Sequence, residues 1–254
     1  MTPTTALIED LSNIETIKTW SLIVTLFGDL GGDPQVVLPG KDIGAIMGHI
    51  GIKPEATRVA LHRLKRDGWI ETRRAGREVF YSLSTQGKAE TMSVYADIYS
   101  QSVKYPEGWQ LIFTEDNIGI PYLRLGRNLV LLPKTKLETV TGVALSLETD
   151  KPPVWFERLI VSSKALELAH RLSQLLERYN QIDHAQSDLD VSTLRLLFLH
   201  HWRKLALRES TWAHIWLKKD GPISHCHSGI TALLSNLPKF ATFKKEYLFA
   251  STDT

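Results

Sequence analysis

The stretch RLKRDGWIETRRAGREVFYSL, residues 63–83, decides the fold. It begins as the basic end of a helix and breaks at Asp67-Gly68. It then continues as two alternating segments, Trp69-Ile70-Glu71-Thr72-Arg73 and Arg77-Glu78-Val79-Phe80-Tyr81-Ser82-Leu83. Half-buried strands alternate in this way, and Gly76 between them supplies the turn of a β-hairpin.

Two helices lead into that hairpin. In KDIGAIMGHIGI, residues 41–52, Ile43, Ile46, Met47 and Ile50 follow the i, i+3, i+4, i+7 spacing of an amphipathic helix, and Gly51 closes it. Pro54 suits the first turn of the next helix, where its missing N–H costs nothing. Plotted at 100° per residue, Ala56, Ala60 and Leu64 cluster on one side, with Thr57 and Leu61 beside them. Glu55, Arg58, His62 and Arg66 lie opposite, flanked by Val59 and Lys65. One face packs and the other carries charge. Two helices joined by Gly51-Ile52-Lys53 form a helix-turn-helix, and the hairpin makes it a winged helix whose second helix is shaped to enter a major groove.

The charge distribution agrees. Residues 53–77 hold eight Lys or Arg (53, 58, 63, 65, 66, 73, 74 and 77) against three acids (Glu55, Asp67 and Glu71), whereas the whole chain has a formal charge of only +2. The positive charge is therefore local, as contact with a polyanionic backbone requires. At 254 residues, with 43% hydrophobic and 23% charged residues, the chain reads as globular and long enough for two or three domains. MTPTTALIEDLSNIE at the start has neither a basic leader nor an apolar core, and no apolar run approaches the roughly 20 residues of a membrane span. The lone Cys226 forms no intrachain disulfide. These features point to a cytoplasmic protein.

Elsewhere, TIKTWSLIVTLFG (16–28) reads as a buried helix ended by Gly28, with Asp29 and Gly31-Gly32 opening a loop and Pro39-Gly40 marking a turn. Residues 85–104 read as one helix leaving the winged domain, with Met92, Tyr95, Ala96, Tyr99 and Val103 on one side and a boundary at Pro106-Glu107-Gly108. Strands are expected at 109–114, 128–132 and 142–147, a helix at 163–182, and a helical segment from about 186 with Leu194, Leu197, Phe198, His201 and Leu205 on one face. The reading is α+β and multidomain: a winged-helix part at 1–104, an α+β part at 105–184 and a helical part at 185–254.

SLIVTLFGD at 21–29, EATRVALHRLKRDGWIETRRAGREVFYSL at 55–83 and HHWRKLALRES at 200–210 resemble the PaaX-like family of phenylacetate-degradation repressors. The middle of the chain matches only in outline, around GWQLIF and LGRNLVLLP. The resemblance implies a ferredoxin-like, Cas2-like middle domain and a helical C-terminal domain that takes an effector. It also implies a homodimer on a palindromic double-stranded operator, released by an aryl- or acyl-CoA thioester such as phenylacetyl-CoA. After Arg208 this chain departs from the family pattern, reading ESTWAHIWLKKDGPISHCHSG, and EDNIGIPYLRLG is short for the first helix of the middle domain.

On this reading Lys53, Arg58, Val59, His62, Arg63, Arg66, Arg73, Arg74 and Arg77 contact DNA. Arg58 and His62, near the helix start, face base edges, and Arg73, Arg74 and Arg77 grip phosphates without reading sequence. Arg63 lies at the core boundary, where pairing with Glu71 or Asp67 competes with DNA contact. Trp109, His201, Trp202, Arg203 and Arg208 are the effector candidates, since an acyl-CoA needs apolar walls and cations; Trp212 and Trp216 read as core or pocket wall. His225-Cys226-His227, with His200, His201 and His214 upstream, has no known metal-ligand spacing and is read as a loop without metal. No catalytic, phosphate-loop or dinucleotide motif is present, so neither an enzyme nor a cofactor is expected. The rival readings are an architectural or autoregulatory DNA-binding protein without an effector and, more remotely, a metal-dependent nuclease using Glu115 and Asp116.

Overall fold

A computed structural model describes residues 2–30, 36–100, 108–115, 123–134, 142–147, 155–156, 160–182, 187–208 and 221–240. Its fold is α+β, with helices α1 (Pro3–Ser12), α2 (Thr19–Leu30), α3 (Gly40–His49), α4 (Pro54–Arg66), α5 (Thr85–Ser93), α6 (Tyr95–Tyr99), α7 (Ser163–Gln181), α8 (Asp188–Arg208) and α9 (Pro222–Asn236). The strands are β1 (Leu38–Pro39), β2 (Ile70–Ala75), β3 (Glu78–Leu83), β4 (Trp109–Phe113), β5 (Leu123–Arg124), β6 (Leu129–Pro133) and β7 (Val143–Leu147). Among the described residues no helix is long and apolar enough to cross a membrane.

Glycines end the two helices of the helix-turn-helix. Gly51 adopts φ +86° after α3, and the Ile52 amide reaches back to the Met47 carbonyl at 2.9 Å. Gly68 adopts φ +75° after α4, and the Trp69 amide bonds the Leu64 carbonyl at 2.9 Å. Both are Schellman closures, which need a residue free of the left-handed penalty. The second one turns Trp69 and Ile70 inward, so the hairpin starts from a buried anchor. Strands β2 and β3 then pair from Ile70↔Leu83 out to Ala75↔Glu78, leaving Gly76-Arg77 as a two-residue turn.

β1 adds a third strand, Leu38↔Tyr81 and Pro39↔Phe80. Pro39 therefore sits on a sheet edge, where no ladder donor is required of it, rather than in a turn. The second sheet is antiparallel in the order β5-β6-β4-β7. Leu123 and Leu131 join its inner face to the main core.

Three helical expectations change. α2 runs through Gly28 to Leu30, so Asp29 is a buried helical residue and not the start of a loop. The expected single helix at 85–104 breaks at Val94, because α6 turns back onto the core: Tyr99 donates to Asp29 at 3.1 Å, and Trp202 Nε1 donates to the Ile98 carbonyl at 2.9 Å. α8 is not one-sided, since every residue from Ser192 to Trp202 is buried. It is the central post of the fold, packed by α1, α2, α3, α6, α7 and α9. A helix buried all round must be apolar or internally satisfied all round. Thus the C-terminal helices share one continuous hydrophobic cluster with the N-terminal ones.

Candidate nucleic-acid interface

α4 buries Thr57, Ala60, Leu61 and Leu64, as its periodicity predicts, whereas Ala56 stays exposed. Its outward face presents Arg58, Val59, His62, Arg63, Lys65 and Arg66, with Lys53 exposed at the N-cap. Val59 is 68% exposed, an apolar side chain standing among cations. On the hairpin, Arg73, Arg74 and Arg77 are exposed too, and among the described residues none of the three has an acidic partner.

The helix cations are partly clipped. Arg58 Nη2 contacts Glu55 at 3.3 Å, while Arg63 Nε and Arg66 Nη2 contact Asp67 at 3.5 and 3.0 Å. The Arg66 guanidinium, with Arg63 behind it, holds the Asp67 carboxyl below its usual range, so Asp67 stays ionised at neutral pH. Such solvent-exposed pairs are weak and salt-screened, and a phosphate competes for them readily. Arg63 is also held by Trp20, whose ring centroid lies 5.5 Å from its Cζ. Of its two expected acidic partners, the structure gives it Asp67 and not Glu71.

Behind α4 lies a cleft of about 570 Å³. Its walls come from α2 (Trp20, Val24), the end of α4 (Arg63, Asp67), α5–α6 (Thr91, Tyr95, Tyr99) and α8 (Leu199, Arg203, Leu207). Tyr95 and Tyr99 stack with centroids 4.3 Å apart.

Of the effector candidates, Arg203 stands on this cleft. His201 and Trp202 do not, because α8 turns them into the core. His201 Nε2 donates to the Leu11 carbonyl at 2.8 Å, and Trp202 packs against His227 with 5.3 Å between centroids. Trp109 is half-buried in β4, paired with Pro133 and Leu147 in a different part of the molecule. The side chain of Arg208, and all of Asp116, His214, Trp212 and Trp216, lie outside the described residues. His225, Cys226 and His227 belong to α9 and not to a loop: Cys226 Sγ points inward to the Ala169 carbonyl at 3.0 Å, and His227 Nε2 donates to the Ser100 carbonyl at 2.7 Å.

Residues 18–87 match the family described as PaaX-like protein. Over those residues the chain is similar to that family. The matched segment runs from α2 into α5 and contains every candidate DNA-contacting residue, whereas the effector candidates lie beyond it. The chain is 31% identical over 113 residues to the transcriptional repressor PaaX of Escherichia coli (strain K12). That alignment takes in 42% of this chain and 34% of the repressor, so the chain spans about a third of the length of the curated relative it matches. An uncharacterized protein from Mycobacterium tuberculosis is similar in structure, with 16% identity and a TM-score of 0.48 over 85% of this chain and 93% of that one.

The sequence reading missed Trp20, Thr91, Tyr95 and Tyr99 as cleft residues. Tyr95 and Tyr99 share one side of the expected helix, but Trp20 lies some eighty positions upstream and no local pattern links it to them.

Proposed function

We propose that this protein is a transcriptional repressor that binds duplex operator DNA through a winged helix. α4 lies in the major groove, and the β2–β3 hairpin grips the flanking backbone. The supporting observation is the cationic surface: the exposed face of α4 and the hairpin tip together present Lys53, Arg58, His62, Arg63, Arg66, Arg73, Arg74 and Arg77. In this reading Arg58 and His62 meet base edges, Val59 meets a thymine methyl, and the hairpin arginines meet phosphates. The PaaX-like match and the similarity to a named repressor favour regulation over catalysis.

The chain acts as a homodimer whose two α4 helices address half-sites one helical turn, or a multiple of it, apart. Segment 105–184 contributes a ferredoxin-like sheet, a reading supported by the order β5-β6-β4-β7 with every neighbouring pair antiparallel. Segment 185–254 contributes α8, which packs against α2 and α3 of the DNA-binding part. An aryl- or acyl-CoA thioester releases the operator by binding the DNA-incompetent state more tightly.

Fluorescence anisotropy with the duplex upstream of the protein's own gene tests this. Binding should exceed that of a shuffled duplex by at least about a thousandfold and weaken steeply with salt. Equal affinity for both duplexes, or indifference to salt, overturns it.

A further inference from the structure

We propose that the cleft between α2, α4, α5–α6 and α8 is a regulatory site for a small organic anion with a flat apolar body, held by Arg203 and Thr91. Three observations carry this. The walls are largely aromatic and aliphatic (Trp20, Trp69, Tyr95, Tyr99, Leu199, Leu207), and 570 Å³ lies within the size range of small-molecule sites. The acidic groups of the cleft are already engaged: Glu90 accepts from Trp69 Nε1 at 2.9 Å and from Gln86 Nε2 at 2.8 Å, and Asp67 takes Arg63 and Arg66. Arg203, by contrast, has no hydrogen bond or carboxylate partner among the described residues.

Among the described residues the Thr91 hydroxyl, on a residue 7% exposed, has no hydrogen-bond partner. A desolvated guanidinium and an orphaned hydroxyl on one aromatic-walled cleft are polar groups awaiting a partner. Burial also pushes the Arg203 pKa down, the direction that an anionic occupant would reverse.

The same cleft meets the DNA-binding surface through Arg63 and Trp20, both of which line it. An anion bound there draws the Arg63 guanidinium inward, removes one cation from the outer face of α4 and so lowers DNA affinity. This coupling rests on the proposed DNA-binding role, whereas occupation of the cleft does not.

The probe is 1-anilinonaphthalene-8-sulfonate, read by its own fluorescence, with uncharged N-phenyl-1-naphthylamine as the matched neutral control. Wild-type protein should bind the sulfonate, R203A should weaken it about tenfold or more, R203K should retain most of it, and T91V should weaken it several-fold. The neutral control should bind all four proteins alike. Equal sulfonate affinity for wild type and R203A, with both proteins cooperatively folded by thermal melt, overturns the site. Saturating sulfonate should weaken operator binding by wild type but not by R203A. Sulfonate binding as expected with unchanged operator affinity overturns the coupling alone. Sulfonate binding as expected in a protein with no operator affinity overturns the DNA-binding reading and leaves the site standing.

Discussion

Arg195 and Asp29 form a two-pronged ion pair inside the core, Nε to Oδ2 at 2.6 Å and Nη2 to Oδ1 at 2.8 Å, with side chains 3% and 6% exposed. The pair joins the end of α2 to the centre of α8, and Tyr99 adds a third contact to the same carboxylate. Arg195 Nη1 also donates to the Leu234 and Leu237 carbonyls, satisfying the end of α9. Burial and the neighbouring Asp29 charge push the Tyr99 hydroxyl pKa upward, so it stays a donor. One guanidinium thus fastens three helices.

Removing one member leaves the other charge buried and alone. D29A and R195M should each lower unfolding stability by about 3–5 kcal/mol, whereas a double replacement by apolar residues should cost less than the two single changes summed. Urea denaturation with a double-mutant cycle measures this. Purely additive effects would mean that the pair makes no cooperative contribution.

How much of this was legible in the sequence divides along the range of the contacts. The helix-turn-helix and hairpin were readable because Gly51, Pro54, Gly68 and Gly76 act locally and the alternation of β2 and β3 is short-range. The outward face of α4 followed from its period. Asp29 was misread because an acid after Gly28 looks like a loop; only Arg195, 166 residues away, explains its burial. His201 and Trp202 were assigned to a pocket wall because a helix with one apolar stripe was assumed, while α8 is enclosed by helices from both ends of the chain. α1, a short ten-residue helix capped by Thr2, has too few apolar positions to announce itself.

The two halves of the cationic surface should respond differently to substitution. In the proposed complex R74A would remove a phosphate grip, so affinity for every duplex should fall together and the slope of log affinity against log salt should shrink by about one. R58A would remove the proposed base-facing fork and should narrow the gap between operator and shuffled duplex by about 1–3 kcal/mol. Anisotropy titrations over a salt series distinguish the two. Identical behaviour of both variants would remove the distinction between grip and reader.

His200 makes stability depend on pH. The Thr25 hydroxyl donates to the Ser21 carbonyl at 3.0 Å, so His200 Nδ1 is the donor in its 3.0 Å contact with Thr25, and its Nε2 is buried with no partner among the described residues. Burial, reinforced by the charges around His201, Lys204 and Arg203, depresses its pKa to about 2. The unfolded chain takes up a proton here below about pH 6.5 while the folded chain does not. The unfolded state therefore binds more protons in that window, and stability falls as the pH drops through 6.5. His201 and Lys204 hold the Glu15 carboxyl down to about 2 against its burial, so its contribution is present above about 4.5 and is lost only below that. Urea midpoints between pH 8 and 5 therefore separate His200 from Glu15, and H200L should flatten their slope. An unchanged slope in H200L would assign the effect to another group.

Gly87 and Gly44 predict opposite outcomes for the same substitution. A Cβ on Gly87 would lie 2.1 Å from the Trp69 carbonyl oxygen and 3.3 Å from Leu83 Cδ2. That oxygen accepts the Ser84 amide at 3.1 Å, and the Ser84 hydroxyl both caps α5 through the Gly87 amide at 3.0 Å and donates to the Gly68 carbonyl at 2.6 Å. The backbone cannot yield at one of these points without loosening the others, so G87A must lift α5 off the base of the hairpin. Its cost should reach the upper end of the roughly 1–3 kcal/mol typical of overpacking. Gly44, exposed in the middle of α3 with nothing within 4 Å of its would-be Cβ, should instead gain about 1 kcal/mol as alanine. Urea denaturation of both variants decides the matter. A tolerated G87A would mean that α5 sits against the hairpin with more slack than this close approach allows.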